Sequence, residues 1–173
     1  GCADTSLPYN IIVHPLPVPP VITAIGPTTV CSGDTITLVV THPDPTVTFE
    51  WNNGEVNDTI RVTKNGCYYA TAIDTNGCES SASFCVTVNP LPDLCTFYEG
   101  CFDTCAPYII QGPAGSTWLW LMNGVSTGVT TQNYTANVSG MYSVIVTNSF
   151  GCVDTTGVLD LMLHPCPEDS LCA

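Results

Sequence analysis

Eleven cysteines are the residues whose type and number point most directly to chemistry in this 173-residue chain. They lack the spacing of a structural zinc site, and Cys101 and Cys105 are poorly spaced for one. Such a density of cysteines is typical of an oxidising compartment, where thiols form disulfides. Because the count is odd, at least one thiol is free or pairs with a cysteine outside this sequence.

Catalysis is not expected, because the groups that could transfer protons are few and poorly placed. The only histidines are His14, His42 and His164. His14 and His164 occupy the same place in two similar segments, and a third copy has Asn89 there. A histidine that exchanges with asparagine between repeats indicates linker polarity. No nucleophile elbow, phosphate-binding loop or His-Glu-x-x-His motif occurs, so the chain is not expected to be an enzyme.

The charge excludes two classes of partner. The chain has 15 acidic residues against one arginine and one lysine, which gives a formal net charge of −13. This charge repels phosphate backbones and anionic lipid surfaces, so neither nucleic acid nor a membrane surface is expected as a partner. Membrane insertion is not expected either, because no apolar run approaches the roughly 18–20 residues that span a bilayer. No signal peptide is visible.

The sequence repeats itself at a constant offset. GCYYATAIDTNGC (66–78) aligns with GMYSVIVTNSFGC (140–152) through its Gly, its Tyr and its final Gly-Cys. Cys31 and Cys105 are separated by the same interval as these two segments. A period of this length is typical of an array of small domains.

The repeat predicts the domain organisation. Two complete modules are expected, at 18–92 and 93–167. The segment GCADTSLPYNIIVHPLP (1–17) resembles GCVDTTGVLDLMLHPCP (151–167), the end of the second module. Residues 1–17 are therefore predicted to be the last strand of a preceding module, or a donor strand that completes another copy. Residues 168–173 are predicted to start a following module or to form a tail.

Short β-branched segments bounded by turn residues predict an all-β fold. Gly-x-Tyr at Tyr68 and Tyr142 resembles the tyrosine corner of immunoglobulin-type sandwiches, and Trp51 and either Trp118 or Trp120 are predicted core aromatics. The sequence thus predicts two tandem Ig-like β-sandwich modules with a preceding strand that belongs to another module. The predicted strands of the first module are 35–41, 46–51, 58–63, 67–73 and 83–88.

Three short motifs recur in a known group of proteins: Cys-x-Gly-Asp at 31–34, Asn-Gly-Cys at 76–78 and Asn-Pro-Leu-Pro at 89–92. They resemble the tandem Ig-like and PKD-like repeats of giant cell-surface adhesins in the Bacteroidota. That group includes gliding adhesins and other proteins exported by an outer-membrane secretion system. The second module departs from the pattern, with Cys-Ala-Pro-Tyr and Ser-Phe-Gly-Cys in the corresponding places. The resemblance implies an extracellular, adhesive or fibrous role and names no ligand.

Four cysteines follow the family pattern, and two pairing schemes are open for them. One scheme joins Cys31 to Cys78 and Cys105 to Cys152 within each module. However, in an Ig-like topology these turns lie at opposite ends of strands about 20 Å long. A disulfide needs Cα atoms about 4.4–6.8 Å apart. The alternative joins Cys31 to Cys152 between modules and leaves the other two for modules beyond this chain.

Local disulfides are also predicted. Cys67 and Cys85 are equidistant from a hairpin turn near Asn76, so a bridge between neighbouring strands is feasible on the outer face of the sheet. Short loops are expected to be closed by the pairs Cys95–Cys101 and Cys166–Cys172.

No cofactor is expected, with calcium as the one candidate. Asp74-Thr-Asn-Gly resembles the start of an EF-hand loop, but the twelfth position is Cys85 instead of glutamate, so a plain hairpin turn explains it better. Calcium bound at module junctions by Asp34, Asp93 or Asp103 remains an alternative.

Modification by sugars is the other chemistry that the resemblance implies. The Bacteroidota proteins that this chain resembles carry O-glycans at Asp-Ser/Thr followed by an aliphatic residue or threonine. Asp-Thr is also common where strands start, which is the competing explanation. The hydroxyl residues that fit the pattern are Thr35, Thr59, Thr155 and Ser170.

These observations predict a structural or adhesive building block of an extracellular, cell-surface fibre or filament made of disulfide-reinforced, glycosylated Ig-like modules. Its partners would be copies of itself or neighbouring modules. The alternative is a ligand-binding module of a secreted protein, with glycan as the ligand. Exposed aromatic residues such as Tyr9, Tyr98 or Trp118 would then form the binding platform.

Overall fold

A computed structural model describes residues 1–2, 4–5 and 7–165. All the regular secondary structure in that part of the chain is β-strand. The chain divides into two compact units, residues 1–88 and 89–173. The predicted all-β class and the Ig-like sandwich are confirmed.

The first unit is a sandwich of two sheets. One sheet has the strand order β1-β3-β5 and the other has the order β2-β7-β6-β4. The strands are β1 (Val21–Ile25), β2 (Thr29–Cys31), β3 (Ile36–Thr41), β4 (Thr48–Trp51), β5 (Thr59–Val62), β6 (Gly66–Ile73) and β7 (Glu79–Asn89).

The alternation of side chains along the strands forms the core of this unit. Ile36, Leu38 and Val40 of β3 are buried, because residues two apart in a strand point to the same face. They pack with Trp51, whose indole Nε1 donates a hydrogen bond to the Asn57 carbonyl at 2.8 Å. A buried tryptophan therefore occupies the place in the first module that the sequence predicts for it.

Tyrosine corners are present in both units. The Tyr68 hydroxyl donates a hydrogen bond to the Lys64 carbonyl at 3.0 Å, and the Tyr142 hydroxyl donates one to the Val138 carbonyl at 2.7 Å. Each bond spans four residues and ties the start of a long strand to the loop before it. The Gly-x-Tyr motif thus forms the structure that it predicts.

The turns after these strands are also the same in both units, although their sequences differ. Asp74 Oδ1 accepts hydrogen bonds from the backbone N–H groups of Cys78 and Asn76, both at 2.8 Å. Asn148 Oδ1 accepts the equivalent bonds from Cys152 and Phe150, both at 3.0 Å. Aspartate and asparagine serve alike here, since each offers one oxygen to two N–H groups.

The second unit has a six-stranded sheet and a separate two-stranded sheet. The larger sheet has the order β11-β10-β13-β15-β8, with β14 also paired to β13, and the smaller one pairs β12 with β9. Strands β8 and β15 run parallel, and their register places Gly100 opposite Leu159. The strands are β8 (Gly100–Ala106), β9 (Tyr108–Gln111), β10 (Thr117–Met122), β11 (Val125–Ser126), β12 (Asn133–Ala136), β13 (Gly140–Thr147), β14 (Val153–Thr155) and β15 (Leu159–Pro165).

An aromatic cluster forms the centre of the second core. Trp120 is fully buried, and its Nε1 donates to the Thr131 carbonyl at 2.9 Å. Its ring lies 5.4 Å from that of Tyr134 and 6.2 Å from that of Phe97, measured between centroids. Trp120 is thus the core tryptophan of the two candidates, while Trp118 is only half-buried.

All five strands predicted for the first module are present, with ends shifted by a few residues. Two strands near its start, β1 and β2, were missed by the sequence analysis. The described residues before Val21 contain no strand. A last strand of another module would have its hydrogen-bonding neighbours in that module, so the assignment of residues 1–17 stays a prediction.

Candidate functional site

A disulfide joins neighbouring strands of the first unit. Cys67 of β6 and Cys85 of β7 lie directly opposite each other in the antiparallel register and are bonded. Both are exposed, whereas the residues beside them, Tyr68 and Phe84, pack against the core. The bridge therefore lies on the outer face of the sheet.

The remaining cysteines differ in state. Cys31 and Cys152 are also disulfide-bonded, and Cys152 is fully buried. The pairing of Cys31 with Cys152 stays a sequence-based prediction. Cys166 and Cys172 lie outside the described residues, as does Ser170. Free thiols are carried by Cys2, Cys78, Cys95, Cys101 and Cys105.

Several of these free cysteines were predicted to form disulfides. Cys95 and Cys101 do not close the predicted short loop. The backbone N–H of Cys95 donates to Asp93 Oδ1 at 3.0 Å, and the Asp93 carboxylate raises the pKa of the Cys95 thiol through a hydrogen bond and its charge. Cys78 is free as well, so the within-module bond between Cys31 and Cys78 is not formed.

The three aspartates proposed as calcium ligands are engaged with the protein. Asp34 Oδ2 accepts the Cys31 backbone N–H at 3.2 Å, and Asp93 accepts that of Cys95. Asp103 Oδ1 lies 2.7 Å from His164 Nε2 across the β8–β15 pair, with both side chains more than half exposed. Within the described residues, no group of three or more His, Cys, Asp or Glu side chains could hold a metal ion.

The other sequence-predicted residues are scattered over the surface. Thr35, Thr59 and Thr155 are exposed, so a sugar could reach each hydroxyl. The His42 ring bonds the Val18 carbonyl at 2.9 Å, while His14 is exposed. Within the described part of the chain, the structure does not bring the histidines together as an acid–base pair.

A concave cleft in the second unit contains several aromatic side chains. It has a volume of about 520 Å³ and lies along β9, between that strand, β8 and the turn at residues 94–97. Its lining contains no charged side chain and consists of Thr96, Tyr98, Phe102, Tyr108, Ile109, Ile110, Gln111, Asn133 and Leu159.

Aromatic rings form one wall of this cleft. The Phe102 ring meets that of Tyr98 edge-on at 5.8 Å and that of Tyr108 at 5.1 Å, measured between centroids. Tyr98 is 60% exposed and Ile109 is 58% exposed, although both are large and largely apolar. A cleft with apolar walls and a few polar groups at its rim is the usual form of a binding site.

Of the three aromatic residues proposed for ligand binding, only Tyr98 lines this cleft. Trp118 is half-buried, and its Nε1 donates to the Pro113 carbonyl at 2.9 Å, so its polar edge is occupied. Tyr9 is 90% exposed and lies in the segment before the first strand. The cleft itself was not predicted from the sequence, because residues from distant parts of the chain line it.

Comparisons with known proteins agree with the fold. Residues 17–92 match a family described as "Ig-like domain CHU_C associated", an Ig-like family associated with the Bacteroidota. No curated protein sequence matches the chain. The part of the chain that the structure describes contains no helix that could span a membrane.

Similar solved structures have low sequence identity to this chain. The N-terminal Ig1-2 module of Drosophila receptor protein tyrosine phosphatase DLAR is 14% identical, with 84% of this chain and 99% of that chain covered and a TM-score of 0.36. The insect immune protein hemolin is 16% identical, with 84% and 47% covered and a TM-score of 0.47. Murine CEACAM1b is 13% identical, with 83% and 100% covered and a TM-score of 0.36.

Ig-like families are generally non-enzymatic, and the Ig-like domains of adhesion and receptor proteins are typically extracellular. Residues 17–92 thus match an Ig-like family, and residues 89–173 repeat the tyrosine corner and the Asx turn of the first unit.

Proposed function

We propose that this chain is a structural and adhesive building block of an extracellular surface fibre or filament made of disulfide-reinforced Ig-like modules. The observation that carries the proposal is the repetition of one structural plan in both units. The tyrosine corner and the Asx turn recur with the same hydrogen bonds in the two units.

The hydrogen bonds and the disulfide suit a module that must resist pulling and proteolysis. Strands β6 and β7 pair over eight residues, and the Cys67–Cys85 bond joins them covalently near one end. A disulfide of this kind typically contributes about 2–4 kcal/mol. Pro-rich connections such as HPLPVPP (14–20) would hold neighbouring modules apart as semi-rigid spacers.

Proposed partners are copies of this chain or neighbouring modules in the same fibre. The free thiols of Cys78 and Cys105 are available for cross-links to such neighbours. We further propose O-glycans on the exposed Thr35, Thr59 and Thr155, which an intact mass equal to that of the bare sequence would exclude. In the described part of the chain the histidines do not form an acid–base pair, which supports a non-catalytic role.

The mass of the native material tests the fibre proposal. It should be measured under denaturing conditions, with and without a reductant. A species near the 18.3 kDa of this chain after reduction, and larger before it, would mean separate subunits joined by disulfides. A much larger polypeptide after reduction would mean a long array of modules. A single species with the mass of this chain in both conditions, with no self-association in native buffer, would contradict the proposal.

Binding of a glycan is the second candidate function, and the exposed Tyr98 in the cleft of the second unit favours it. Exposed aromatic faces stack on the apolar faces of sugar rings. A glycan array probed with the full chain and with Tyr98→Ala separates the two functions. A structural spacer should give no signal with either protein, whereas a sugar-binding module should lose its signal in the variant.

A further inference from the structure

The second unit lacks a strand that the first unit has. In the first unit β3 lies between two neighbours, with β1 on one side and β5 on the other. Strand β9 is the counterpart of β3. Val62 pairs with the first residue of β3. Ala136 is equivalent to Val62 in the repeat, and it pairs with the first residue of β9. In the described structure β9 pairs with β12 alone, so its other edge has no strand beside it.

The local sequence explains why this edge is open. By the offset of the repeat, β1 corresponds to residues 95–99. Residues 94–97 instead form a turn, closed by a hydrogen bond of 3.0 Å from the Phe97 N–H to the Leu94 carbonyl. The turn buries the Phe97 ring against Trp120, which fills the core without adding a strand to the sheet.

The cleft described above runs along this open edge. Its lining includes Tyr108 and Ile110, which face the core side of β9, and Ile109 and Gln111, which face the other side. A cleft lined by side chains from both faces of one strand gives access to the backbone edge between them. An unpaired edge is a template for an added strand, because its N–H and C=O groups lack ladder partners.

The first unit contains a segment suited to such an edge. Residues 7–13 (LPYNIIV) have no charge, contain no proline after Pro8 and form no regular structure in the described chain. Exposed apolar side chains of this size, contiguous in sequence, are unusual on a monomer in solution. The exposed fractions are 90% for Leu7, 90% for Tyr9, 80% for Ile11, 74% for Ile12 and 85% for Val13.

We propose that residues Tyr9–Val13 of one copy add as a β-strand along the free edge of β9 in a second copy, in the place that β1 occupies beside β3. The proposal rests on the proposed role in a fibre, since it gives the non-covalent contact between subunits. The contact joins two different surfaces, so each copy can donate and accept, and repetition builds a filament or a ring.

Charge favours this pair of surfaces over others. Two copies, each with a formal charge of −13, repel one another, so contact is least costly where both surfaces are uncharged. The cleft lining and residues 7–13 both meet this condition. Salt screens the repulsion, so the association should strengthen as the salt concentration rises.

A rival assignment uses the same segment. Residues 1–17 resemble residues 151–167, a segment that contains β14 and β15. In the rival assignment, residues 1–17 therefore form the last strand of another module that lacks its own. Both units described here already have that strand, whereas the free edge of β9 is present in this chain. Sugar binding in the cleft is the other rival.

The test is self-association of the full chain, measured by sedimentation with the free thiols alkylated. The wild-type chain should form species larger than a dimer as its concentration rises. Ile11→Asp places a charge in the donated strand and should weaken association at least tenfold. Val56→Asp is the matched control, because Val56 is also apolar and exposed, at 70%, but lies outside the donated strand. This variant should change association less than twofold. All three chains should be equally stable as monomers.

A peptide identifies the acceptor. The full-length Ile11→Asp chain retains the cleft, so it should bind synthetic LPYNIIVH and protect the amide hydrogens of residues 108–111 from exchange. Adding Tyr98→Ala to that chain should weaken binding at least fivefold. The control is Tyr69→Ala, which removes an aromatic side chain that is 50% exposed and does not line the cleft. This change should leave peptide binding unaltered.

Several results would overturn the proposal. One is the absence of both self-association and peptide binding at concentrations of about 0.5 mM. Another is protection of the amide hydrogens of residues 108–111 in the Ile11→Asp monomer when no peptide is present. The third is binding of an oligosaccharide, but not of the peptide, to the cleft. None of these results alters the mass of reduced native material, so the strand contact can fail while the fibre proposal stands.

Discussion

Replacing Tyr142 with phenylalanine removes one hydroxyl from the tyrosine corner of the second unit. The ring remains in the core beside Tyr134, 5.4 Å away between centroids, so packing changes little. What is lost is the 2.7 Å hydrogen bond to the Val138 carbonyl, which ties β13 to the loop before it. The matched change in the first unit is Tyr68→Phe, which removes the 3.0 Å bond to the Lys64 carbonyl.

The two changes should differ in size because the two hydroxyls differ in burial. The Tyr142 side chain is buried, but Val138 is 53% exposed, so water can replace the lost bond only in part, and the cost should be about 1–1.5 kcal/mol. Tyr68 is partly exposed, so water can replace the lost bond, and the cost should be about 0.5–1 kcal/mol. For a domain of this size, a loss of about 1 kcal/mol lowers the melting temperature by roughly 4–8 °C.

Calorimetry of the full chain measures both effects in one molecule. If the units unfold in separate transitions, Tyr142→Phe should shift one of them and Tyr68→Phe should shift the other by less. Hydrogen exchange, followed by mass spectrometry of peptides from each unit, assigns the transitions. An equal shift for both variants, or a larger one for Tyr68→Phe, would refute the argument from burial.

Three further predictions concern other bonds of the two units. The pKa of Asp74 is lowered by hydrogen bonds from backbone N–H groups of its turn, so its stabilising effect is present above the unfolded pKa and is lost as the pH falls below about 4. Asp74→Asn, which copies Asn148 of the second unit, should reduce that acid sensitivity in thermal unfolding measured from pH 2 to 7. The double variant Cys67→Ser/Cys85→Ser should destabilise the first unit alone by about 3 kcal/mol in urea unfolding. The Val144 N–H donates a hydrogen bond of 3.0 Å to the buried Thr156 hydroxyl. Thr156→Val removes this acceptor, so the free energy of unfolding of the second unit should fall by about 1–3 kcal/mol in the same assay.

Local features of the fold could be predicted from the sequence because each depends on neighbouring residues. The corner at Tyr68 needs a tyrosine at the start of a strand and a carbonyl four residues earlier. The turn at Asp74 needs one side-chain oxygen and two nearby N–H groups. Sequence comparison took the Asn148 turn as a departure from the pattern, but asparagine offers the same acceptor. The two repeats share the chemistry of this turn, whereas they do not share its residues.

Features that depend on distant residues were not predictable. Strands β1 and β2 have five and three residues, and their existence depends on partners in β3 and β7 rather than on their own pattern. The cysteine states depend on which turns meet in space, so the sequence left two schemes open. Tyr98 was singled out as an exposed aromatic residue, but its cleft exists only because the turn at 94–97 replaces a strand.

The difference between the two units bears on how a fibre of such modules could grow. In the first unit, β1 covers the edge of β3 over five residue pairs, so this edge is closed to other chains. In the second unit, the corresponding edge of β9 is open beside an uncharged cleft. Isolated edges of this kind promote aggregation unless something limits access to them. The net charge of −13 supplies such a limit, because it disfavours contact except where an uncharged strand meets the uncharged edge. A chain whose uncharged donor segment meets the uncharged open edge of β9 in another copy would therefore associate in one direction, which is the property that a filament subunit requires.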